Sequence, residues 1–170
     1  MRAAAVVLAA GESTRFGSPK QRLLLPKVLE QLATAPVDEV VVVAGAYELE
    51  LPSARGAPAR LVDCPDWARG PGASLRCGLA ALGEDVEVAL VVLADGPDLA
   101  PESVARVLDT WRREGGVVAA SYGGARGHPL ALGRECWRDV PDEGLHVRRV
   151  RLVPCDDLGA PGDVDRPEDL

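Results

Sequence analysis

Ten residues near the amino terminus, Gly11-Glu12-Ser13-Thr14-Arg15-Phe16-Gly17-Ser18-Pro19-Lys20, gather two glycines, three hydroxyl side chains and two cations in one short stretch. Glycine lets a backbone approach a ligand closely and reach positive φ. Consecutive amides in such a turn form a nest for phosphate oxygens. Arg15 supplies a planar fork and Lys20 a compact ammonium. The spacing is neither the P-loop's GxxxxGK[ST] nor the dinucleotide fingerprint GxGxxG. By residue type alone, a structural loop and a phosphate-binding loop explain it equally well. A second candidate is Asp95, in Leu93-Ala94-Asp95-Gly96-Pro97, where a carboxylate directly follows an apolar run. Aspartate in such a place often caps a helix. It is also a hard oxygen donor of the kind Mg²⁺ takes, one or two at a time, alongside substrate phosphates. A third acidic stretch, Gly162-Asp163-Val164-Asp165-Arg166-Pro167-Glu168-Asp169-Leu170, has the composition of a solvated terminus.

These groups must be held by the elements around them. Ala3 to Ala9 is a short apolar run ending in glycine, as expected of a strand buried on both faces. Similar runs recur at Glu39–Ala44, Val88–Ala94 and Val117–Ser121, with weaker ones at Arg60–Asp63 and Val150–Val153. Helical spacing appears over Lys27–Ala35, Ala73–Leu82 and Pro101–Glu114. Strands alternating with helices predict right-handed crossovers and a mostly parallel sheet covered on both faces, a single-domain three-layer α/β/α fold over residues 1–170. Ligands of such sheets sit beyond the carboxyl ends of the strands. Gly11–Lys20 and Asp95–Pro97 both fall at that edge. The Gly/Pro-rich stretches 51–58 and 68–72 read as surface loops.

Composition narrows the partners. A chain of 170 residues with 47% apolar content can bury roughly 70% of its extended surface. A net charge of −7 argues against nucleic acid as partner. No apolar run approaches the ~20 residues that cross a bilayer, and no secretory leader is evident, so a cytoplasmic location without a membrane partner is expected. Cys64, Cys77, Cys136 and Cys155 form no CxxC pair, and His128 and His146 stand far apart, which excludes zinc-type spacing. The cysteines are therefore expected to be reduced packing residues.

Leu8-Ala9-Ala10-Gly11, followed by Ser13, Arg15, Gly17 and Lys20, resembles the LAAGxSxRxG…K signature of MobA-like NTP transferases. These are molybdenum-cofactor cytidylyl- and guanylyltransferase-like enzymes with a Rossmann-like, GT-A-type nucleotidyltransferase fold. The resemblance implies nucleotide binding by Leu8, Ala9, Ala10, Gly11, Ser13 and Gly17. It also implies neutralisation of the triphosphate by Arg15 and Lys20 as catalytic residues. The LAAG spelling, with Ala10 where guanylyltransferases carry glycine, leans toward CTP over GTP. Asp95 matches the family's (A/G)DxP metal motif. Asp165 in Asp163-Val164-Asp165-Arg166-Pro167-Glu168 matches a second metal ligand with Asp163 nearby, so Mg²⁺ is the implied cofactor. Trp67-Ala68-Arg69-Gly70-Pro71-Gly72-Ala73-Ser74-Leu75 is similar to a W..G...SL segment, which makes Ser74 a nucleotide contact. The helix opening there has an amino end that favours anions, and Trp67 reads mainly as packing.

Arg126-Gly127-His128-Pro129 resembles an acceptor-side RGHP turn, without an identifiable acidic partner for His128. Asp142-Glu143-Gly144 is similar to a GDxG turn. Three departures bear on the acceptor, the first being a stretch after Gly144 shorter than the helical one that relatives carry there. Gly96 stands where many relatives carry Gln or Met, which removes a substrate contact. Leu23-Leu24-Leu25-Pro26-Lys27 runs almost directly into the helix. The implied reaction transfers NMP from an NTP to a phosphate-bearing acceptor, molybdopterin favoured, with pyrophosphate released. The alternatives are transfer to a sugar phosphate or other small molecule from GTP or UTP, and a nucleotide-binding module without turnover.

Overall fold

A computed structural model of the chain describes residues 1–12, 20–52, 56–145 and 149–162. Its centre is β1 (Ala3–Leu8), every residue of which from Ala3 to Val7 has no exposed surface. That explains the run AAAVVL, because a strand covered on both faces has no place for polar alternation. β1 pairs in parallel with β2 (Glu39–Ala44) on one side and β4 (Val88–Leu93) on the other. β3 (Ala59–Asp63) extends the sheet beyond β2. Beyond β4 lie β6 (Ala125–Gly133), then β5 (Val117–Tyr122), then β7 (Arg151–Pro154), giving the order β3-β2-β1-β4-β6-β5-β7. Only β6 runs against the others.

Two layers cover this sheet. α1 (Lys20–Leu32) and α3 (Pro101–Glu114) lie on the face carrying Ala5, Val7, Val42, Leu90 and Val118. α2 (Pro71–Ala80) and the segment reaching Val140 and Leu145 lie on the face carrying Val6, Val43, Val91 and Leu130. The expected three-layer, mostly parallel α/β/α architecture is therefore present. No described helix is long and apolar enough to cross a membrane.

Four expectations need correction. α1 begins at Lys20 rather than Lys27 and continues through Pro26. Proline forfeits one intrahelical hydrogen bond, yet Leu24, Leu25, Val28 and Leu29 are all buried on the core side, and that burial outweighs the loss. The RGHP segment lies in β6 rather than in a turn. Gly127 and Pro129 hide the strand's alternation from a reading of the sequence, while Leu130-Ala131-Leu132 pairs with β4. Cys64 and Cys77 are joined by a disulfide, with Cα atoms 5.8 Å apart, whereas Cys136 and Cys155 are free. Their separation of 13 residues gave no motif, and they meet because α2 folds back beside the end of β3. Finally, the amino end of α2 is closed by protein: the Gly72 amide donates to the Asp142 carbonyl at 2.8 Å.

Two glycines in α2 are required by close approach. A Cβ on Gly78 would stand 2.5 Å from Val6 Cγ1, and one on Gly72 would stand 1.6 Å from the Pro141 carbonyl oxygen. Helix propensity alone favours alanine over glycine by about 1 kcal/mol, whereas overpacking costs about 1–3 kcal/mol. The obstruction at Gly72 is backbone, which cannot swing aside, so the steric cost wins. Gly72→Ala is expected to lower unfolding stability by about 2 kcal/mol, read as a fall in the urea midpoint; an unchanged midpoint would contradict this packing.

Candidate active site

The register of the central strands sets the site. Leu8 of β1 lies opposite Leu93 of β4, so the segments that follow them emerge side by side. The edge is stitched by backbone bonds from Ala94 N to Leu8 O (3.1 Å), Ala9 N to Val43 O (3.0 Å) and Ala46 N to Ala10 O (2.9 Å). Gly11 follows with open space where a side chain would be. The Gln21 side-chain amide donates to the Gly11 carbonyl at 3.0 Å, tying the start of the glycine-rich segment to the first turn of α1. Lys20, the first residue of that helix, points to the same place. Its Nζ lies 2.9 Å from Asp95 Oδ2, with the two side chains only 11% and 24% exposed.

The structure thus brings Lys20, Asp95, Gly11 and Leu8 to one sheet edge. Ala9 and Ala10 are buried there, and Trp67 packs against the same cluster. Ser74 is buried in α2, one residue from Leu75, which lines a cavity also bounded by Leu8. Ser13, Arg15, Gly17, Asp163 and Asp165 lie outside the described residues.

β6, not read as a strand from the sequence, carries the Arg126–Pro129 segment that resemblance placed on the acceptor side. Its pairing with β4 runs from Val88–Gly133 to Val91–Leu130, so Arg126, Gly127 and His128 project beyond the paired region. They separate two cavities. One of about 440 Å³ lies toward Tyr122, Gly96 and Pro161. The other, about 520 Å³, lies toward Leu8, Pro71 and Glu143. The Tyr122 hydroxyl donates to the His128 carbonyl at 2.8 Å. Arg126 Nη1 donates to the Leu145 carbonyl at 2.8 Å. A Cβ on Gly127 would strike the Tyr122 ring at 2.8 Å, so glycine is needed there. Burial lowers the Arg126 pKa and pushes that of Tyr122 up to about 12.

His128 has an acidic neighbour after all. Burial is the main force driving its pKa down to about 4, the Arg126 guanidinium adds to the effect, and the Asp95 carboxylate opposes it. The imidazole is therefore neutral at physiological pH rather than a cation.

A second feature missed in the sequence is the Asp142 clamp. Its carboxylate takes Arg69 Nη2 at 3.3 Å and Arg76 Nη2 on its other oxygen, and Arg76 Nη1 donates to the Val140 carbonyl at 2.6 Å. The Arg76 hydrogen bond, with Arg69 assisting, holds the Asp142 carboxyl below the usual range. Partners so far apart in the chain leave no local spacing to detect. The glycine at position 96 also has a structural reason: a Cβ there would meet Pro161 Cβ at 3.1 Å and the Gly162 carbonyl at 3.4 Å. The Asp98 amide anchors this crossing segment by donating to the Pro161 carbonyl at 2.8 Å.

Among the described residues no group of three His, Cys, Asp or Glu side chains is arranged to hold a metal. Asp95 offers a hard oxygen donor at the edge, which suits a cation that draws its other ligands from substrate phosphates.

A sequence model of the MobA-like NTP transferase domain matches residues 5–152. The chain belongs to that family. It is also 29% identical over 159 residues to the bifunctional protein GlmU of Sorangium cellulosum, a match covering 85% of this chain and 33% of that protein, so the chain spans about a third of that relative's length. Among solved structures, an Rv0371c homologue from Mycobacterium sp. strain JC1 superposes with a TM-score of 0.78 at 25% identity, over 99% of this chain and 94% of the other. Rv0371c of Mycobacterium tuberculosis H37Rv, in complex with manganese, does so with a TM-score of 0.73 at 26% identity, over 99% and 96%.

The His128 environment carries a pH signature. The unfolded chain protonates this histidine near its ordinary value of 6.5, the folded chain only near 4. Between those values the unfolded state binds more protons, so stability is full above about pH 6.5 and declines as pH falls toward 4. His128→Asn should flatten that part of the curve. Parallel unfolding profiles for the two proteins between pH 4 and 7 would count against a half-buried neutral imidazole.

Proposed function

We propose that this MobA-like family member is a Mg²⁺-dependent nucleotidyltransferase that takes CTP as donor and a small phosphate-bearing acceptor, molybdopterin favoured. The carrying observation is the Lys20–Asp95 pair at the carboxyl edge of β1 and β4, beside the opening of the glycine-rich segment. An acceptor phosphate oxygen attacks the α-phosphorus of the NTP, the bond to the bridging oxygen breaks, and pyrophosphate leaves. No protein nucleophile is required, so positioning and charge neutralisation carry the catalysis.

In this reading Lys20 and Arg15 offset the charge that accumulates on the departing pyrophosphate. The backbone from Leu8 to Gly11, with Ser13, Gly17 and Ser74, holds the nucleotide. Asp95, with Asp165, would hold Mg²⁺, which when bound supplies Lewis-acid stabilisation of the phosphoryl oxygens. The Asp95 carboxylate fits that task by donor type and by its place at the edge. Ala10 favours a pyrimidine donor by resemblance. The walls contributed by Arg126–His128 and by Pro71, Glu143 and Gly144 form the acceptor side, beside the donor edge marked by Leu8.

Calorimetry with CTP, GTP and UTP in Mg²⁺ tests the donor directly, and pyrophosphate release over a panel of molybdopterin and sugar phosphates tests the acceptor. CTP is expected to bind most tightly. Lys20→Ala and Asp95→Ala should each lower pyrophosphate release at least tenfold with the fold retained. Wild-type rates in both variants would remove the assigned roles, and tight NTP binding without release from any acceptor would make the protein a binding module.

A further inference from the structure

The ion pair does more than bring two functional side chains near each other. Lys20 Nζ already sits on Asp95 Oδ2 at 2.9 Å. Lys20 is fixed there by its position as the first residue of α1, whose next residue bonds back to Gly11. A divalent cation arriving alone must share this carboxylate with a tethered cation or push it aside, and in so shielded a place the two positive charges repel with little screening. Of the described acids near Asp95, Asp98 offers little help. Asp98 lies 3.5 Å from Lys27 Nζ and is largely exposed, and no cluster of three potential ligands exists among the described residues. A triphosphate changes the balance, because its anionic oxygens give Lys20 another partner and give the cation additional ligands.

We propose that Lys20 is a counter-ion that keeps Asp95 closed to a lone divalent cation and yields it to a cation arriving with a triphosphate, so that metal and nucleotide enter as one complex. The inference rests on the reading of this edge as an NTP site. It assigns Lys20 two opposed effects, weakening the binding of bare metal and strengthening that of the metal–nucleotide complex.

The opposition makes it testable without turnover. Mn²⁺ serves as probe, its free concentration followed by electron paramagnetic resonance, with wild-type protein, Lys20→Met, Lys20→Gln and Asp95→Asn, each with and without CTP. Lys20→Met and Lys20→Gln should bind Mn²⁺ alone at least fivefold more tightly than wild type, yet bind Mn²⁺–CTP at least tenfold more weakly. Asp95→Asn should lose affinity for both. A lysine that merely supports the fold would not improve metal binding when removed. Equal or weaker Mn²⁺ affinity in the two Lys20 variants, with unchanged thermal midpoints, overturns the proposal. Should both variants unfold, the wild-type protein decides: CTP should raise Mn²⁺ affinity at least fivefold beyond what the Mn²⁺–CTP complex contributes in solution, and its failure to do so overturns the proposal. If wild type binds no nucleotide with any metal, the NTP reading fails, while the comparison with Mn²⁺ alone still reports on the pair.

Discussion

A lysine and an aspartate largely withdrawn from water must neutralise one another, and that requirement organises the carboxyl edge of this sheet. Lys20 opens α1 and Asp95 follows β4, so the two meet only if β1 and β4 are neighbours in the register that sets Leu8 against Leu93. Close packing of both faces, with the edge bond from Ala94 N to Leu8 O, holds that register. Core burial therefore fixes the position of a polar pair at its rim. Removing one partner leaves the other without this counter-ion, a cost borne locally at the rim while the core strands hold. For this reason the two residues act as a unit in the fold as well as in the proposed chemistry.

The antiparallel β6 is the second organising element. Its pairing with β4 stops at Val91–Leu130, and β5 carries an irregularity between Ala119 and Ser121 opposite the same region. Beyond that point the chain leaves the plane shared with β4 and becomes a wall with a cavity on either side. A parallel strand entering from the opposite edge would have begun, rather than ended, away from the site. The direction of one strand thus places Arg126, Gly127 and His128 beside Asp95. Tyr122 fixes the wall by its bond to the His128 carbonyl and by the close fit of its ring over Gly127.

What could be read from the sequence follows the range of the interactions. The strands of the parallel sheet were legible because burial on both faces leaves an unbroken apolar run, as in VALVVL. Asp95 stood out because it ends such a run. Lys20 stood out through the spelling of the glycine-rich segment, although the helix it begins was hidden by Pro26, whose local penalty is overruled by the buried side chains around it. β6 escaped because Gly127 and Pro129 interrupt the pattern where the wall needs a close approach. The Asp142 clamp and the Cys64–Cys77 bond escaped for another reason. Both depend on α2 lying against distant segments, and nothing within reach of a local window records that contact.

The departure at Gly96 shows how such contacts reshape a site without altering its chemistry. A Cβ there would press on Pro161, and the segment Pro161–Gly162, which crosses the turn after β4 and is held by the Asp98 amide, would have to give by a few tenths of an ångström. The glycine is thus explained by the chain that passes over it, not by a lost substrate contact alone. That crossing also forms part of the cavity beside Tyr122, while the Asp142 clamp secures the loop that bounds the cavity beside Pro71. Both walls come from segments late in the chain, whereas Lys20 and the glycine-rich opening come from its beginning. Substitutions in the late segments can therefore reshape the cavities while the pair at the sheet edge stays in place, so the proposed acceptor side and the proposed donor side can vary separately.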